Sequence, residues 1–264
     1  VKGPDVIRVE IHIIYIDMRH AWAEELTVSP SGAVDEFRRK IARNDYPIMA
    51  IWEMGIRGLR VPIQDLEDEK TRRRMGLMRD VGHNFHVYVY DIPTEEQISL
   101  IRENTDLISQ LEIVISWDKI KEYTRVLNDL TNQFGLDIIL SRVNRKDSAK
   151  TSGGKFNHLI SHGFSLSETG ELSNFLSDNK HLVSGVQFTI TRGDCPWKAS
   201  ELVQKFATAT GCKPYLYVKS TEASPAERFD DEISNTLRFG DICLAAIGNN
   251  VNAVSYTHLR AHET

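Results

Sequence analysis

From residue 57 onward, short β-branched and aromatic runs alternate with longer stretches of helical periodicity, the pattern of βα units feeding a parallel sheet. Strands are predicted at Arg57–Ile63, Phe85–Asp91, Glu112–Asp118, Asp137–Val143, Val186–Arg192, Lys213–Lys219 and Asp241–Ile247. Their starts lie 25 to 28 residues apart, except for one interval of 49 residues between the fourth and fifth. His158–Phe164 (HLISHGF) is the apolar run placed to supply an eighth strand inside that interval. Eight units at this spacing predict an α/β protein with a closed (β/α)8 barrel.

Helix signals agree with the period. Pro93 and Thr94 followed by Glu95 and Glu96 open one helix, Ser167 with Glu168 and Glu171 a second, and Ser224-Pro225 with Glu227 a third. Gly82, Gly135, Gly185, Gly211 and Gly240 each precede a strand, where a helix C-terminus takes a left-handed residue. Two units depart from the pattern. Between strands four and five runs NRKDSAKTSGGKFN, polar and without apolar periodicity, so a loop is expected in place of helix four. Helix eight is expected to be missing, which leaves the barrel incomplete at its C-terminus. Residues 1–56 read as an N-terminal β-α-β extension or the remnant of an upstream domain: a half-buried strand over Val6–Asp17, a helix over Ser31–Asn44 and a strand over Pro47–Met54. Gly55–Gly58 leaves too little chain for a parallel crossover after that last strand. The division expected is therefore 1–56, a barrel over 57–253, and a tail over 254–264.

The tail, VSYTHLRAHET, resembles a translated sequencing-library adapter, which marks it as artefactual and sets aside His258, Arg260, His262 and Glu263. With Val1 in place of an initiator methionine, the chain reads as a fragment. Residues 1–30 resemble the closing strands of calcineurin-like metallophosphoesterases, but the Asp, Asn and His metal motifs of that family lie nowhere in the chain.

Composition narrows the setting. The 264 residues are 41% hydrophobic and 26% charged, ordinary for a globular chain, and a net charge of −5 lacks the footprint of a general nucleic-acid binder. Cys195, Cys212 and Cys243 are odd in number and include no C-x-x-C pair, against a disulfide framework or a thiolate zinc site and in favour of a reducing, cytoplasmic setting. No apolar run reaches the roughly 18 to 20 residues that span a bilayer.

In such a barrel the site lies at the C-terminal strand ends. Those ends carry Asp65, Asp91, Asp118 with Lys119, Arg142 with Asn144 and Arg145, His162, Arg192 with Asp194, and Lys219. Asp91 and Asp118 are candidate acid and base groups, against the alternative that such acids only open helices. Lys219 is a candidate Schiff-base lysine, against a side chain that snorkels past Tyr215 and Tyr217 to water. Arg142, Arg192, Asp194 and His162 are candidate substrate contacts, the basic ones gathered to hold an anion. His158 and His162 share one side of a strand roughly 13 Å apart, too far to share a metal. Ser152-Gly153-Gly154-Lys155 lacks a phosphate-loop frame, and neither G-x-G-x-x-G nor G-x-S-x-G occurs. No cofactor is implied.

Two readings follow: a barrel enzyme (lyase, isomerase or hydrolase) that binds a small anionic metabolite, or a noncatalytic C-terminal module of a longer protein such as a metallophosphoesterase. Whether the chain is an enzyme stays open on the sequence. The partners expected are a small anion and an upstream domain of the same polypeptide, with neither nucleic acid nor membrane.

Overall fold

A computed structural model describes residues 14–18, 22, 25–28, 40–43, 46–143, 162–179, 181–219 and 232–257. The strands and helices, in chain order, are β1 (Ile14–Asp17), β2 (Glu25–Val28), β3 (Lys40–Arg43), α1 (Tyr46–Glu53), β4 (Gly58–Pro62), α2 (Gln64–Glu67), α3 (Glu69–Asp80), β5 (Asn84–Tyr90), α4 (Glu95–Glu103), β6 (Ile108–Ile115), α5 (Ile120–Phe134), β7 (Asp137–Arg142), α6 (Thr169–Asp178), β8 (Gly185–Thr191), α7 (Pro196–Thr210), β9 (Lys213–Lys219), α8 (Glu232–Gly248) and β10 (Ala253–Thr257). Eight parallel strands close into a barrel in the order β1-β10-β9-β8-β7-β6-β5-β4, with β2 and β3 paired as a separate antiparallel ribbon. The eight-stranded α/β barrel expected from the periodicity is the architecture found.

Six of its strands stand where the sequence put them, and two do not. Ile14–Asp17 is a barrel strand, buried at all four residues between β10 and β4, rather than an extension strand with one wet face. Tyr46–Glu53 is helical, not extended, because Ile48 and Ile51 fall three apart on one inward face. It is the crossover helix between β1 and β4, which removes the difficulty of the short Gly55–Gly58 link. Of the helix expected over Ser31–Asn44, Lys40–Arg43 forms β3, and residues 31–39 and 44 lie outside the described residues.

At the other end, Asp241–Ile247 lies inside α8. Ile242, Ala245 and Ala246 point inward at helical spacing while Leu244 and Ile247 point out, and apolar residues on both faces imitate a buried strand. Strand eight is instead β10, which crosses residue 254 and takes in the first residues of the adapter-like segment. Residues 258–264 lie outside the described residues.

β7 pairs directly with β8, so no barrel strand stands between them, and among the described residues α6 is the helix of their connection. The described end of the expected strand, His162–Phe164, is a short wedge. His162 bridges Val143 and Phe164 bridges Phe188, so the segment fills the gap that opens between the C-terminal ends of β7 and β8. Of the polar run, residues 144–157 lie outside the described residues, as does the helix start at Ser224-Pro225.

Local signals explain several termini. Thr94 and Gln97 form a reciprocal capping box at α4, and Ser165 with Glu168 forms another ahead of α6. Gly135 closes α5 with φ 63°. Gly185 has a different role from the one expected. It sits inside β8, where a Cβ would strike the Tyr215 ring and the Lys213 carbonyl, so the missing side chain lets Tyr215 fill the barrel floor. Gly240 lies inside α8.

Candidate functional site

Side chains alternate inward and outward along each strand, so the interior is built in layers drawn from alternate strands. The floor holds Tyr15, His86, Ile139 and Tyr215; the His86 ring stands edge-on to Tyr15 at 5.8 Å and to Tyr215 at 6.4 Å. Toward the C-terminal ends, even-numbered positions of the ring contribute Arg60, Glu112 and Gln187. Above them stand Asp17, Tyr88, Ser141 and Tyr217. Barrel interiors are usually filled by branched apolar residues, so two adjoining layers that hold two carboxylates and a guanidinium are a departure with a cause to be found.

Arg60 is the hub. Its Nε and Nη2 donate to Glu112 Oε2 at 2.9 and 2.7 Å, and its Nη1 donates to Asp17 Oδ1 at 2.9 Å. The guanidinium also lies 4.2 Å from the Tyr88 ring centre and 4.8 Å from that of Tyr217. Tyr217 donates its hydroxyl to Asp17 Oδ2 at 3.0 Å. Arg60, Glu112 and Asp17 are all buried. Burial works to neutralise both ends of the pair, but the opposite charges outweigh it: Arg60 is held more basic than usual and Glu112 well below the usual carboxylate range.

His162 closes this cluster from above. Its Nδ1 lies 3.0 Å from Glu112 Oε1, and Arg60 Nη2 lies 2.8 Å from Nε2 and 3.0 Å from Nδ1. Because the ionised Glu112 carboxylate only accepts, the ring donates Nδ1–H to it, which leaves Nε2 as the nitrogen able to accept from the guanidinium in a neutral ring. Burial, then the Arg60 charge, lowers the His162 pKa in agreement. Tyr217, Tyr88 and Tyr90 surround the ring at centroid distances of 5.0, 5.3 and 5.7 Å. The wedge positions it: Gly163 takes φ 114°, and the Thr189 hydroxyl donates to the His162 carbonyl. His86 is likewise lowered by burial. Its Nε2 lies 3.0 Å from Glu112 Oε2 but off the hydrogen-bond line, so neither ring nitrogen has a hydrogen-bond partner. The Ser141 hydroxyl and the Gln187 amide, also buried, lack one too.

Of the residues singled out in the sequence, His162 belongs to this cluster. Asp91 and Asp118 are exposed and do not converge: Asp91 pairs with Lys119 at 3.5 Å, both about half exposed, while Asp118 sits on the short turn before α5. Arg142 is ion-paired with Glu168. Asp194 accepts from the Thr191 amide at 2.7 Å and hydroxyl at 2.9 Å, closing the turn after β8. Arg192, in that turn, and Lys219, at the end of β9, are half-buried. Asp65, ahead of α3, accepts from Trp22 Nε1 at 2.8 Å, and burial pushes its carboxyl up to about 7. His158, Asn144 and Arg145 lie outside the described residues. Among the described residues, no group of three or more His, Cys, Asp or Glu stands as a metal site.

Arg60, Glu112, His86 and Asp17 point into the barrel from within their strands, and a search of the strand ends does not reach them. The available signal was a charged or imidazole side chain at an inward position of an otherwise apolar strand, as in GLRVP, NFHVYVY and IYID.

The fold and its central cluster define a parallel (β/α)8 barrel with a polar interior at the C-terminal ends of its strands. No family model matches the chain, and no curated protein is similar to it. Among solved structures, it resembles a Bacteroides thetaiotaomicron VPI-5482 protein described as a candidate alpha-L-fucosidase. The two share 13% identity at a TM-score of 0.55, over 98% of this chain and 91% of that one. At that identity the likeness establishes the barrel fold. No helix among the described residues is long and apolar enough to cross a membrane.

Proposed function

We propose that this barrel is a hydrolase for a small hydroxylated substrate of the glycoside kind, bound at the mouth bounded by Asp17, Tyr90, His162 and Tyr217. The observation that carries the reading is the charge balance of the interior: among the described residues the carboxyl groups of Asp17 and Glu112 share the Arg60 guanidinium, and burial lowers the pKa of the His162 imidazole beside Glu112. An excess of negative charge suits a reaction whose transition state becomes positive, as an oxocarbenium ion does, because fixed dipoles and charges in a dry site act without reorganising. Aromatic faces at the mouth suit the C–H face of a sugar. The fold neighbour described as a candidate fucosidase supports the same class by analogy alone.

The same balance argues against an anion at the centre. Four of the five N–H groups of Arg60 already meet Glu112, Asp17 or His162, Tyr88 and Tyr217 lie against the guanidinium, and Arg142 is engaged by Glu168. Asp17 is the carboxylate assigned to face the substrate, with Glu112 as the group that holds Arg60 and His162 in place.

One observation favours a noncatalytic module instead: Glu112 is held ionised and so gives no proton, and Asp91 and Asp118 point to solvent. Assay of a panel of aryl glycosides, alongside saturation-transfer NMR with free sugars, separates the two. Turnover that is lost in Asp17→Asn while the folded signal is kept supports the hydrolase. Saturable sugar binding without turnover supports the module, and neither binding nor turnover would sink both.

A further inference from the structure

The charged cluster leaves two inward side chains of the barrel unused. Ser141 of β7 and Gln187 of β8 are 0 and 1% exposed, and neither the serine hydroxyl nor either end of the glutamine amide has a hydrogen-bond partner among the described residues. The main chain beside them is satisfied. The Phe164 amide donates to the Gln187 carbonyl at 2.9 Å, and the Gly163 amide donates to the Arg142 carbonyl at 2.8 Å. Buried polar atoms are nearly always paired, and where no protein group reaches them the partner is an internal water.

The sheet brings these two side chains to one place. The β7–β8 ladder pairs Ile139 with Gly185 and Leu140 with Val186 and goes no further, so Ser141 and Gln187 are the next residues on either side of the opening. Phe188, one residue on, packs on Phe206 of α7, which by alternation turns Gln187 toward the barrel axis. Ser141 is the smallest side chain in a layer otherwise made of Asp17, Tyr88 and Tyr217. The wedge of His162 and Phe164 covers the opening, held by the backbone bonds to Arg142 and Gln187. The charged groups nearby are matched to one another: Arg60 donates to Glu112 and Asp17, and His162 lies on Glu112. The pair itself is neutral and offers donors as well as acceptors. Its ligand must therefore be uncharged, able both to donate and to accept, and small enough to lie beneath the wedge.

We infer that Ser141 and Gln187 form a site for buried water at the opening between β7 and β8, sealed from the mouth of the barrel by the His162 wedge. Water both donates and accepts, and takes roughly two to four partners when buried. A sugar hydroxyl has the same chemistry, but the wedge stands between this pair and the mouth. The site belongs to the barrel interior and is independent of any turnover.

Oxygen-17 relaxation dispersion of the full chain tests this, because it counts long-lived internal waters and is blind to exchanging protons. The wild type is compared with a double variant, Ser141→Ala with Gln187→Met, which removes the three unpartnered atoms at little change in volume. Circular dichroism checks its fold. The double variant is expected to lose at least one long-lived water, and an unchanged count overturns the site. Should the variant not fold, the wild type decides alone: the Gln187 side-chain amide protons should show a contact with water in nitrogen-15-edited NOE spectra, and a missing contact overturns the site. Excess free fucose or glucose then separates the two sources of hydroxyl. A contact that persists supports sealed water, whereas its displacement overturns that assignment in favour of a pocket for a sugar hydroxyl.

Discussion

Arg60 Nη2 and Glu112 Oε2 lie 2.7 Å apart across the barrel interior, and both side chains are fully buried. The two residues come from β4 and β6, strands that do not touch each other in the sheet and are separated by β5. Such a pair is a poor way to gain stability, because removing two ions from water costs several kcal/mol that mutual attraction only offsets.

Breaking the pair should therefore be far worse than replacing it. Glu112→Gln leaves Arg60 with one carboxylate and is expected to destabilise by about 3–5 kcal/mol in urea denaturation. Arg60→Met, Glu112→Leu and Asp17→Leu combined should come within about 1–2 kcal/mol of the wild type, or exceed it, while abolishing any activity. A combined variant as unstable as the single one would show that the cluster is there for folding.

The imidazoles set an acid limit on stability. His86 and His162 are lowered by burial from the ordinary 6.5, as is His83. Between 6.5 and their folded values the unfolded chain binds more protons, so stability present above 6.5 falls as pH drops. Glu112, depressed below 4.5, adds a further loss only in stronger acid. In an Asp65→Asn background, which removes the opposing carboxyl shift near pH 7, the urea midpoint is expected to fall between pH 7.5 and 5.5; a rise would contradict these shifts.

Asp65 acts with the opposite sign. Its folded value of about 7 stands above the ordinary 3.8, so the stability it contributes is full below 3.8 and is lost as pH rises through 7. Asp65→Asn keeps an acceptor for Trp22. It should gain on the order of 1–2 kcal/mol relative to the wild type above pH 7, after allowance for solvent screening, and little at pH 4. Parallel stability curves for the two proteins would refute the assignment.

Gly163 should be as sensitive as the charged residues. Alanine there faces both a φ of 114° and the Thr189 hydroxyl, so Gly163→Ala is expected to cost about 1–3 kcal/mol and to displace His162. Nitrogen-15 NMR of the imidazoles reads this out. In the wild type His162 should be the neutral tautomer protonated at Nδ1, and in the variant it should titrate near 6.5.

The exposed acids give the control. Asp91→Asn and Asp118→Asn are expected to change stability by less than about 0.5–1 kcal/mol, the range of a surface pair such as Asp91 with Lys119. A loss of folding or of ligand binding in either variant would return these residues to the site.

Local pattern determined much of this protein. Short β-branched and aromatic runs at 58–62, 84–90, 108–115, 137–142, 185–191 and 213–219, with caps such as Thr94 and Gly135 between them, are enough to give six parallel strands and the barrel class. They do so because each run buries both faces and each cap is settled within a few residues. What local pattern does not carry is decided by packing at a distance. Asp241–Ile247 is apolar on two faces and reads equally as strand or helix, and contact with α7 and β10 makes it helical. Ile14–Asp17 is four residues long, and its place in the barrel depends on β10 and β4, which are 239 and 44 positions away at their first residues. The site follows the same rule. A lone Arg60 or Glu112 in an apolar strand shows only that something polar must be met inside, and closure of the barrel, bringing β1, β4, β6, β9 and the His162 wedge to one axis, decides what meets it.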